Sequence, residues 1–401
     1  MALALLTPLS AVAQTSAGFN LWRAQTSLNE NSLVALPTDW QTIPDDQLNA
    51  DLWLRWQYRA TVLEGSLICQ QSEPGDSTQR GRINELYRDF SSYGLEFTVG
   101  KKIISSGIGY GFRPLDLIQG EDRRNLQDSR PEGVPLLRVE SIDADSALSA
   151  TWYNHQQLSN NNTDAADNQL LLRYYRLSGD IESELLWHYH ETQGAAFGAG
   201  FTRVSGEALE WHGAALLRHR LRRSTHRLLD SEQLLASQDP WQTSDESDRG
   251  DILLGLNWSD GSGLGVVAEI WHDASAMSRD EWKKLFALAK DQRSLQGLVP
   301  DSALYGNLAW DSQAYQASAL LPDNLLLRLS WDGDRVDSWI DLLVTPEDGG
   351  SVTTLGISWA LRQGLKLDVG YRVFSGDDDS VYGQLPISST AYLQLRGDML
   401  W

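Results

Sequence analysis

The most regular feature of the chain is an alternation of apolar and polar residues in segments of about ten residues, separated by polar turns. In the segment that follows Asp51, apolar Leu52 and Leu54 alternate with polar Arg55 and Gln57. The same period returns in three further clear segments, at 180–190, 336–345 and 365–373. Successive side chains of a strand point to opposite faces, so each segment predicts a β-strand with one apolar and one polar face.

The apolar faces also carry Trp or Tyr near one end of a segment, as at Trp56, Tyr58, Trp187, Tyr189, Trp258 and Trp331. Strands that alternate in this way and end in aromatic residues are typical of β-barrels that cross a membrane. About sixteen such segments recur between Gly18 and Trp401. The pattern predicts an all-β fold, a transmembrane antiparallel β-barrel of about 16–18 strands that forms one domain over 14–401.

Three segments are too long and too polar for turns, and they predict long loops at 105–131, 224–250 and 274–300. The third contains SRDEWKKLFALAKDQR, in which Trp282, Leu285, Phe286 and Ala289 recur at helical spacing. Ser278 followed by Glu281 fits a capping box at its start. The sequence therefore predicts one short loop helix.

Composition narrows the class of protein. Sixteen Trp, thirteen Tyr and 33 Gly favour strands and turns. A formal net charge of −21 argues against a nucleic-acid partner, because phosphate backbones are bound by clusters of Lys and Arg. The single Cys69 excludes an intramolecular disulfide and a cysteine-based zinc site.

The N-terminal residues MALALLTPLSAVAQ form a short apolar run that ends in Ala11-Val12-Ala13, a small-residue pattern of the signal-peptidase type. A basic start is missing, so we expect residues 1–13 to be a signal peptide truncated at its beginning. No later window is apolar over 18 residues, which excludes a transmembrane helix. The chain is therefore expected to be exported.

The C-terminal segment TAYLQLRGDMLW alternates as a strand and ends in an aromatic residue. It resembles the last strand of Gram-negative outer-membrane proteins, which the barrel-assembly machinery recognises, although Gly397 interrupts its apolar face. The resemblance implies location in the outer membrane of a Gram-negative bacterium. Outer-membrane lipid, lipopolysaccharide and that machinery are then the expected partners, together with a possible periplasmic export partner.

Local motifs for catalysis or cofactors are weak. The glycines of GIGYGFRP lack the Gly-Lys-Ser/Thr of a phosphate loop, and no Gly-x-Ser-x-Gly selects a nucleophile, so we predict that the chain is not an enzyme. Glu182, Glu184, His188 and His190 share one strand face, but ligands on one strand form a line and do not converge on a metal. No cofactor is predicted, with calcium at the acidic segments 243–251 and 377–379 as the alternative.

Charged residues on the polar faces predict a lumen of mixed sign, and such side chains set the selectivity of a pore. The candidate wall residues are Arg55, Arg59, Lys102, Glu182, Glu184, His188, His190, Arg218, Arg220, Lys366 and Arg372. The loop at 105–131 pairs basic with acidic residues around Pro114 and Pro131, which suggests that it folds into the lumen as a constriction or plug. Its candidate residues are Arg113, Asp116, Glu121, Asp122, Arg123, Arg124, Asp128 and Arg130.

The unit around this loop also carries a family resemblance. Gly100-Lys101-Lys102, then Pro114-x-Asp116, then Glu132-Gly133-Val134 is similar to a strand-loop-strand unit of large exporter-type barrels, including the alginate-export family. The resemblance covers about 40 residues and implies an export channel, but the mixed wall departs from the basic lumen of alginate exporters. We expect an outer-membrane channel for a solute or exported product. The alternatives are a barrel that serves an envelope export machine for a polymer, lipid or lipoprotein, and a plugged barrel whose acidic loops bind a partner.

Overall fold

The computed structural model describes residues 13–41, 43–73, 77–105, 107–119, 126, 130–155 and 168–400. The expected signal peptide 1–13 therefore lies outside the described residues, except for Ala13. The described chain is dominated by strands. They are β1 Gln14–Leu28, β2 Asp46–Tyr58, β3 Thr61–Glu73, β4 Ser77–Ser92, β5 Leu95–Lys102, β6 Val134–Ile142, β7 Ser146–Tyr153, β8 Gln169–Ser178, β9 Ile181–His190, β10 Gly194–Ser205, β11 Leu209–His226, β12 Trp241–Ser259, β13 Leu264–His272, β14 Asp323–Asp332, β15 Val336–Thr345, β16 Gly350–Arg362, β17 Leu365–Ser375 and β18 Ile387–Leu400.

These strands form one closed antiparallel barrel. Each strand pairs with its neighbours in the chain, and β1 pairs with both β2 and β18, which closes an 18-stranded ring. Closure leaves none of the 18 described strands with an unpaired edge, as a barrel in a bilayer requires. The predicted fold class is confirmed, at the upper end of the expected strand number.

Exposure along the strands alternates as the sequence pattern predicts. On β2, Leu52 and Leu54 are exposed, whereas the preceding residue Asp51 is buried. On β9, Leu185 and Tyr189 are exposed while Glu184 and His188 are buried. Apolar side chains therefore cover the outside of the barrel, and charged and polar ones point to its interior, which is the arrangement that matches a lipid bilayer.

The connections differ in length between the two ends of the barrel. At the end that carries the chain termini, the strands are joined by short turns, such as the predicted turn after Ser178, where Gly179 has a positive φ of 61°. At the opposite end lie the long connections 29–45, 103–133, 227–240 and 273–322. We call these the short-turn end and the long-loop end.

The predicted acidic loop at 224–250 is shorter in the structure, because both of its ends are strand and only 227–240 form the connection. Residues 243–251, read as a loop tip that could hold calcium, belong to β12 and pair with the arginine-rich end of β11. Arg222 lies 3.5 Å from Asp245, and Arg223 lies 2.9 Å from Glu246. Opposite charges across the ladder extend the two strands beyond the apolar segment, because cross-strand ion pairs stabilise a sheet.

The connection 273–322, which we call the roof, folds over the long-loop end. It contains the predicted helix, α1 Arg279–Arg293, with the Ser278–Glu281 capping box in place. It also contains a second helix that the sequence pattern did not reveal, α2 Asp301–Ser312. None of the helices in the described ranges is long and apolar enough to cross a membrane.

Contacts with three other loops hold the roof in place. The Arg293 guanidinium donates hydrogen bonds to the carbonyl oxygens of Leu33 and Ala35 at 2.5 and 2.6 Å. Asn307 exchanges hydrogen bonds with the backbone of Ala236, and Tyr315 donates to the Val381 carbonyl oxygen. The roof is thus one packed unit with the loops after β1, β11 and β17.

Candidate functional site

The connection between β5 and β6, residues 103–133, enters the barrel, and we call it the crossing loop. Leu115 and Ile118 are 0% and 2% exposed, and they belong to one apolar cluster with inward-facing side chains of nine wall strands, β6 to β14. Those wall residues are Leu136, Tyr153, Leu171, Leu186, Ala196, Ala214, Leu216, Leu253, Trp271 and Leu326. The described part of the loop therefore lies inside the lumen.

Small residues on both surfaces allow this close packing. A side chain at Gly198 would place its Cβ 2.7 Å from a Leu115 methyl, and one at Gly200 would lie 2.6 Å from Ile108. Within the loop, Gly109 has a φ of +118°, and a Cβ there would lie 2.0 Å from the Phe112 carbonyl oxygen. The alternating glycines of GIGYG thus serve backbone conformation and close approach.

One carboxylate of the wall, Glu269 on β13, binds the tip of the crossing loop. The backbone N–H groups of Tyr110 and Gly111 donate to Glu269 Oε1 and Oε2 at 2.5 and 2.7 Å. His212 Nε2 on β11 lies 2.9 Å from Glu269 Oε1. The ring of Tyr110 also faces the Arg328 guanidinium on β14, 5.1 Å away. The loop therefore leaves the wall at β5 and reaches its far side.

The return half of the loop touches other parts of the wall. Leu126 packs against Trp22, Ala24 and Tyr392, which lie on β1 and β18. Arg130 pairs with Glu64 on β3 at 2.8 Å and stands 3.6 Å from the ring centroid of Trp53 on β2. Contacts on all sides of the ring show that the loop crosses the lumen.

The candidate loop residues fall into three groups. Arg113 and Asp116 brace the loop itself: Arg113 donates to the Gly109 carbonyl oxygen, and Asp116 accepts from Ser105 Oγ and the Gln119 N–H. Arg130 contacts the wall, as described above. The remaining candidates lie outside the described residues: Glu121, Asp122, Arg123, Arg124 and Asp128.

Two cavities lie on either side of the crossing loop. The upper chamber, toward the long-loop end, measures about 630 Å³ and lies between the loop, the wall and the underside of the roof. The lower chamber, toward the short-turn end, measures about 380 Å³ and reaches Glu182, Glu210 and Asn257 on the wall. Gly109 of the loop lines the lower chamber, and Tyr110 lines both chambers. The loop therefore separates the two chambers.

The upper chamber combines aromatic rings with arginines. The Phe112 and Trp271 rings stack with centroids 5.9 Å apart, and Phe374 and Tyr382 stack at 6.3 Å. The cationic lining residues are Arg113, Arg218, Arg328 and Arg372. Arg328 pairs with Asp341 at 3.2 Å, Arg218 pairs with Asp251, and Arg372 donates to the Thr354 hydroxyl at 2.9 Å.

Most candidate wall residues on the strands have wall partners. Arg55 binds Glu64 and Glu85, Lys102 binds Asp89 at 3.1 Å, and Glu184 binds Arg173. The partners of the histidines are Tyr153 and Gln169 for His188, and Thr192 for His190.

Four further candidates lie toward the ends of the barrel or on its strands. Arg220 donates to the Thr192 carbonyl oxygen near the long-loop end, and Lys366 lines a basic pocket with Arg396 at the short-turn end. Glu182 lines the lower chamber. Arg59 lies in the turn after β2 with a φ of +53°, and its guanidinium stands over the Tyr58 ring, so it is part of a turn and not of the wall.

Two buried histidines of the interior have polar side-chain partners. In the described ranges, His188 lies at hydrogen-bond distance from Tyr153 and Gln169, and His212 from Glu269. In the same ranges, no group of three or more His, Cys, Asp or Glu side chains is placed to hold a metal ion.

Sequence reasoning did not single out Arg328, Trp271 and His212, although each occupies an inward register of an alternating segment. Their roles depend on what they meet across the barrel. The alternation of apolar and polar residues indicates that these side chains point inward, but it does not indicate which residues they contact.

Comparison with known proteins identifies the fold. No protein-family model and no curated protein matches the chain. The solved structure of the outer membrane protein OpdK from Pseudomonas aeruginosa is similar over 97% of this chain and 99% of its own, with a TM-score of 0.57 and 9% identity. OccAB2 of Acinetobacter baumannii is similar over 97% and 98%, with a TM-score of 0.56 and 8% identity. A structure of Pseudomonas aeruginosa OpdK with vanillate covers 97% and 99%, with a TM-score of 0.54 and 9% identity.

These comparisons give no support to the resemblance to the alginate-export family. At 8–9% identity they show the fold alone, and the absence of enzymatic activity stays a prediction from the sequence. The closed 18-stranded ring, the apolar exterior and these neighbours together identify the chain as a transmembrane β-barrel of the Gram-negative outer-membrane type.

Proposed function

We propose that the chain is an outer-membrane channel that passes small solutes through its lumen, with the crossing loop as the constriction. The observation that carries the proposal is the position of this loop. It crosses the lumen from β5 to β13 and separates an upper from a lower chamber. A loop held in this way narrows the path, and the groups around it determine which solutes pass.

We further propose that the preferred solutes are small aromatic carboxylates. Two stacked aromatic pairs offer planar apolar surface in the upper chamber, and the Arg372 side chain lines the same chamber with a guanidinium. A guanidinium matches the geometry of a carboxylate, and its plane also stacks on rings. Vanillate, the ligand present in the OpdK structure, belongs to this chemical class.

Single-channel recording in planar bilayers tests the channel. We expect stable current steps from the purified protein and larger steps from a variant in which Arg113–Arg130 is replaced by a short Gly-Ser linker. The larger steps follow from removing the segment that fills the centre of the lumen. An absence of steps from both proteins would contradict the proposal. Steps that appear only after the deletion would instead favour the alternative of a gated conduit in an export machine.

Vanillate added during the same recordings tests the solute class. We expect it to interrupt the current of the wild type and to do so about tenfold less often in Arg372→Gln, because loss of a charged hydrogen-bond partner costs on the order of 1.5 kcal/mol. Arg23→Gln is the matched control, since Arg23 pairs with Asp46 at an exposed position. Equal interruption in all three proteins would exclude Arg372 as the carboxylate-binding group.

A further inference from the structure

The contact between Glu269 and the loop tip has an unusual feature: two consecutive backbone N–H groups bind the two oxygens of a single carboxylate. Tyr110 N lies 2.5 Å from Oε1, and Gly111 N lies 2.7 Å from Oε2. The Glu269 residue is 2% exposed. A buried carboxylate needs several donors, and here the loop backbone supplies two of the three while His212 supplies the third.

The wall around this carboxylate leaves room for the loop backbone. A Cβ on Gly111 would lie 2.7 Å from a Leu326 methyl and 3.2 Å from Glu269 Oε2. On β12, a Cβ at Gly255 would lie 2.3 Å from His212 Nε2 and 2.8 Å from Glu269 Cγ. Glycine at both positions thus lets the loop, Glu269 and His212 approach one another. The loop tip is therefore closely packed against the wall where it binds Glu269.

From this geometry we infer that Glu269, supported by His212, is a latch that holds the crossing loop across the lumen and thereby sets the width of the channel. Glu269 is a positioning residue: it acts on solutes through the loop. The inference rests on the proposed channel function for its consequence, but the latch itself is a structural contact that can be measured without transport.

The chemistry of the latch predicts which change opens it. In Glu269→Gln the side chain keeps its size but has one oxygen and one NH₂ group. One loop N–H then keeps an acceptor, while the other faces a donor, and the charge that strengthened both hydrogen bonds is lost. The loop tip should detach more often, while the strands of the wall keep their ladder hydrogen bonds.

Glu184→Gln is the matched control. Glu184 is also an inward, buried carboxylate, 4% exposed, and its partner Arg173 lies on the neighbouring strand of the wall and not on the loop. Both variants remove one negative charge from the lining of the lower chamber or its border. A difference between them therefore reports on the loop contact and not on lumen charge.

Hydrogen exchange followed by mass spectrometry tests the latch directly. In the folded barrel, we expect amides of peptide 107–119 to exchange about tenfold faster in Glu269→Gln than in the wild type, and at the wild-type rate in Glu184→Gln. Unchanged exchange in Glu269→Gln, or equal acceleration in both variants, would overturn the latch. Retention of the wild-type electrophoretic shift between unheated and boiled samples shows that each variant is folded.

Single-channel recording then tests the consequence. We expect Glu269→Gln to add frequent transitions to larger current levels, with Glu184→Gln resembling the wild type in this respect. Faster exchange together with unchanged current steps would overturn the claim that the latch sets the channel width, while the structural contact would stand. Faster exchange in a protein that gives no steps at all would contradict the channel function and leave the latch in place.

Discussion

Individual residues show what alternation can and cannot reveal. The period of two placed Arg55, Glu184 and Arg372 on the polar face, and the structure puts each of them inside the barrel with partners on adjacent strands or nearby. It could not show that Glu269 binds Tyr110, because 159 positions separate the two residues and only ring closure brings them together. The side a residue faces is a local property of the strand, whereas its partner is a property of the whole barrel.

A buried pair in the roof gives a prediction at this scale. His226 at the end of β11 and Asp311 on α2 have side chains that are 0% and 1% exposed, with Nε2 and Oδ1 3.1 Å apart. Neither side chain completes a hydrogen bond of normal geometry, and Gln292 and the Trp241 ring are among the neighbours of the pair. Burial raises the pKa of Asp311, and the neighbouring His226 opposes this rise only in part.

We expect His226→Leu to lower the free energy of local unfolding of α2 by about 3 kcal/mol, since removing one partner leaves a buried carboxylate without compensation. The double variant His226→Leu/Asp311→Leu should recover most of this loss, because an apolar pair of similar volume needs no partners. Hydrogen exchange of peptide 301–312 measures both. If the loss in the double variant equals the sum of the losses in His226→Leu and Asp311→Leu, the two side chains are not coupled and the prediction is wrong.

Whole elements were predictable where one signal dominated. Helix α1 combines helical spacing of apolar residues with a capping box, and both are present in the structure. Helix α2 escaped notice because its buried face includes Asn307 and Asp311 beside Leu304 and Leu308, so its apolar spacing is incomplete. The charges in the N-terminal part of β12 predict a solvated loop, because the strand register that pairs them with arginines of β11 is not visible in the sequence.

The start of α1 carries a pH-dependent contact. Burial raises the pKa of Glu281, but hydrogen bonds from Arg223 at 2.6 Å and from Ser278 outweigh it, so the pKa is lowered below its usual value near 4.5. Because the pKa is lowered in the folded state, the charged carboxylate stabilises the fold at pH values above the usual pKa. This contribution is lost as the pH falls through the lower folded value.

We therefore expect Glu281→Gln to weaken the start of α1 by about 1 kcal/mol at pH 7 and to have a much smaller effect at pH 3. Hydrogen exchange of peptide 279–293, corrected for the intrinsic rate at each pH, gives the two values. Asp280→Asn, one position earlier and exposed, is the control and should change little. An equal effect of Glu281→Gln at both pH values would show that the carboxylate charge is not involved.

At the scale of the molecule, the fold class followed from the sequence and the strand number did not. Alternating segments with outward aromatic residues predict a barrel. Strands as long as β11 and β12, with 18 and 19 residues, extend beyond the length needed to cross a membrane, so segment length does not give the strand number. The count is fixed by the seam, where β1 pairs with β18 from Ser16 opposite Leu400 to Leu28 opposite Ile387. Gly397, which interrupts the apolar face of the last strand, lies beneath the Phe19 ring of the first. The interruption is thus filled from across the seam.

The seam also makes the whole barrel sensitive to one glycine. A Cβ at Gly18 of β1 would lie 2.3 Å from the backbone oxygen of Gly397 on β18 and 2.5 Å from the Trp53 ring on β2. Because the backbone oxygen belongs to the ladder that closes the ring, Gly18→Ala must shift the seam. We expect a cost of about 1–3 kcal/mol, the usual range for overpacking.

Electrophoresis of the detergent-solubilised barrel measures this cost as the temperature at which the unheated mobility changes to the boiled mobility. This temperature should fall in Gly18→Ala. Gly81→Ala on β4 has no heavy atom within 4 Å of the new Cβ and should leave that temperature unchanged or slightly higher. Identical mobility of unheated and boiled wild type would contradict the closed barrel itself, whereas equal temperatures for both variants would contradict only the role of Gly18 in its closure.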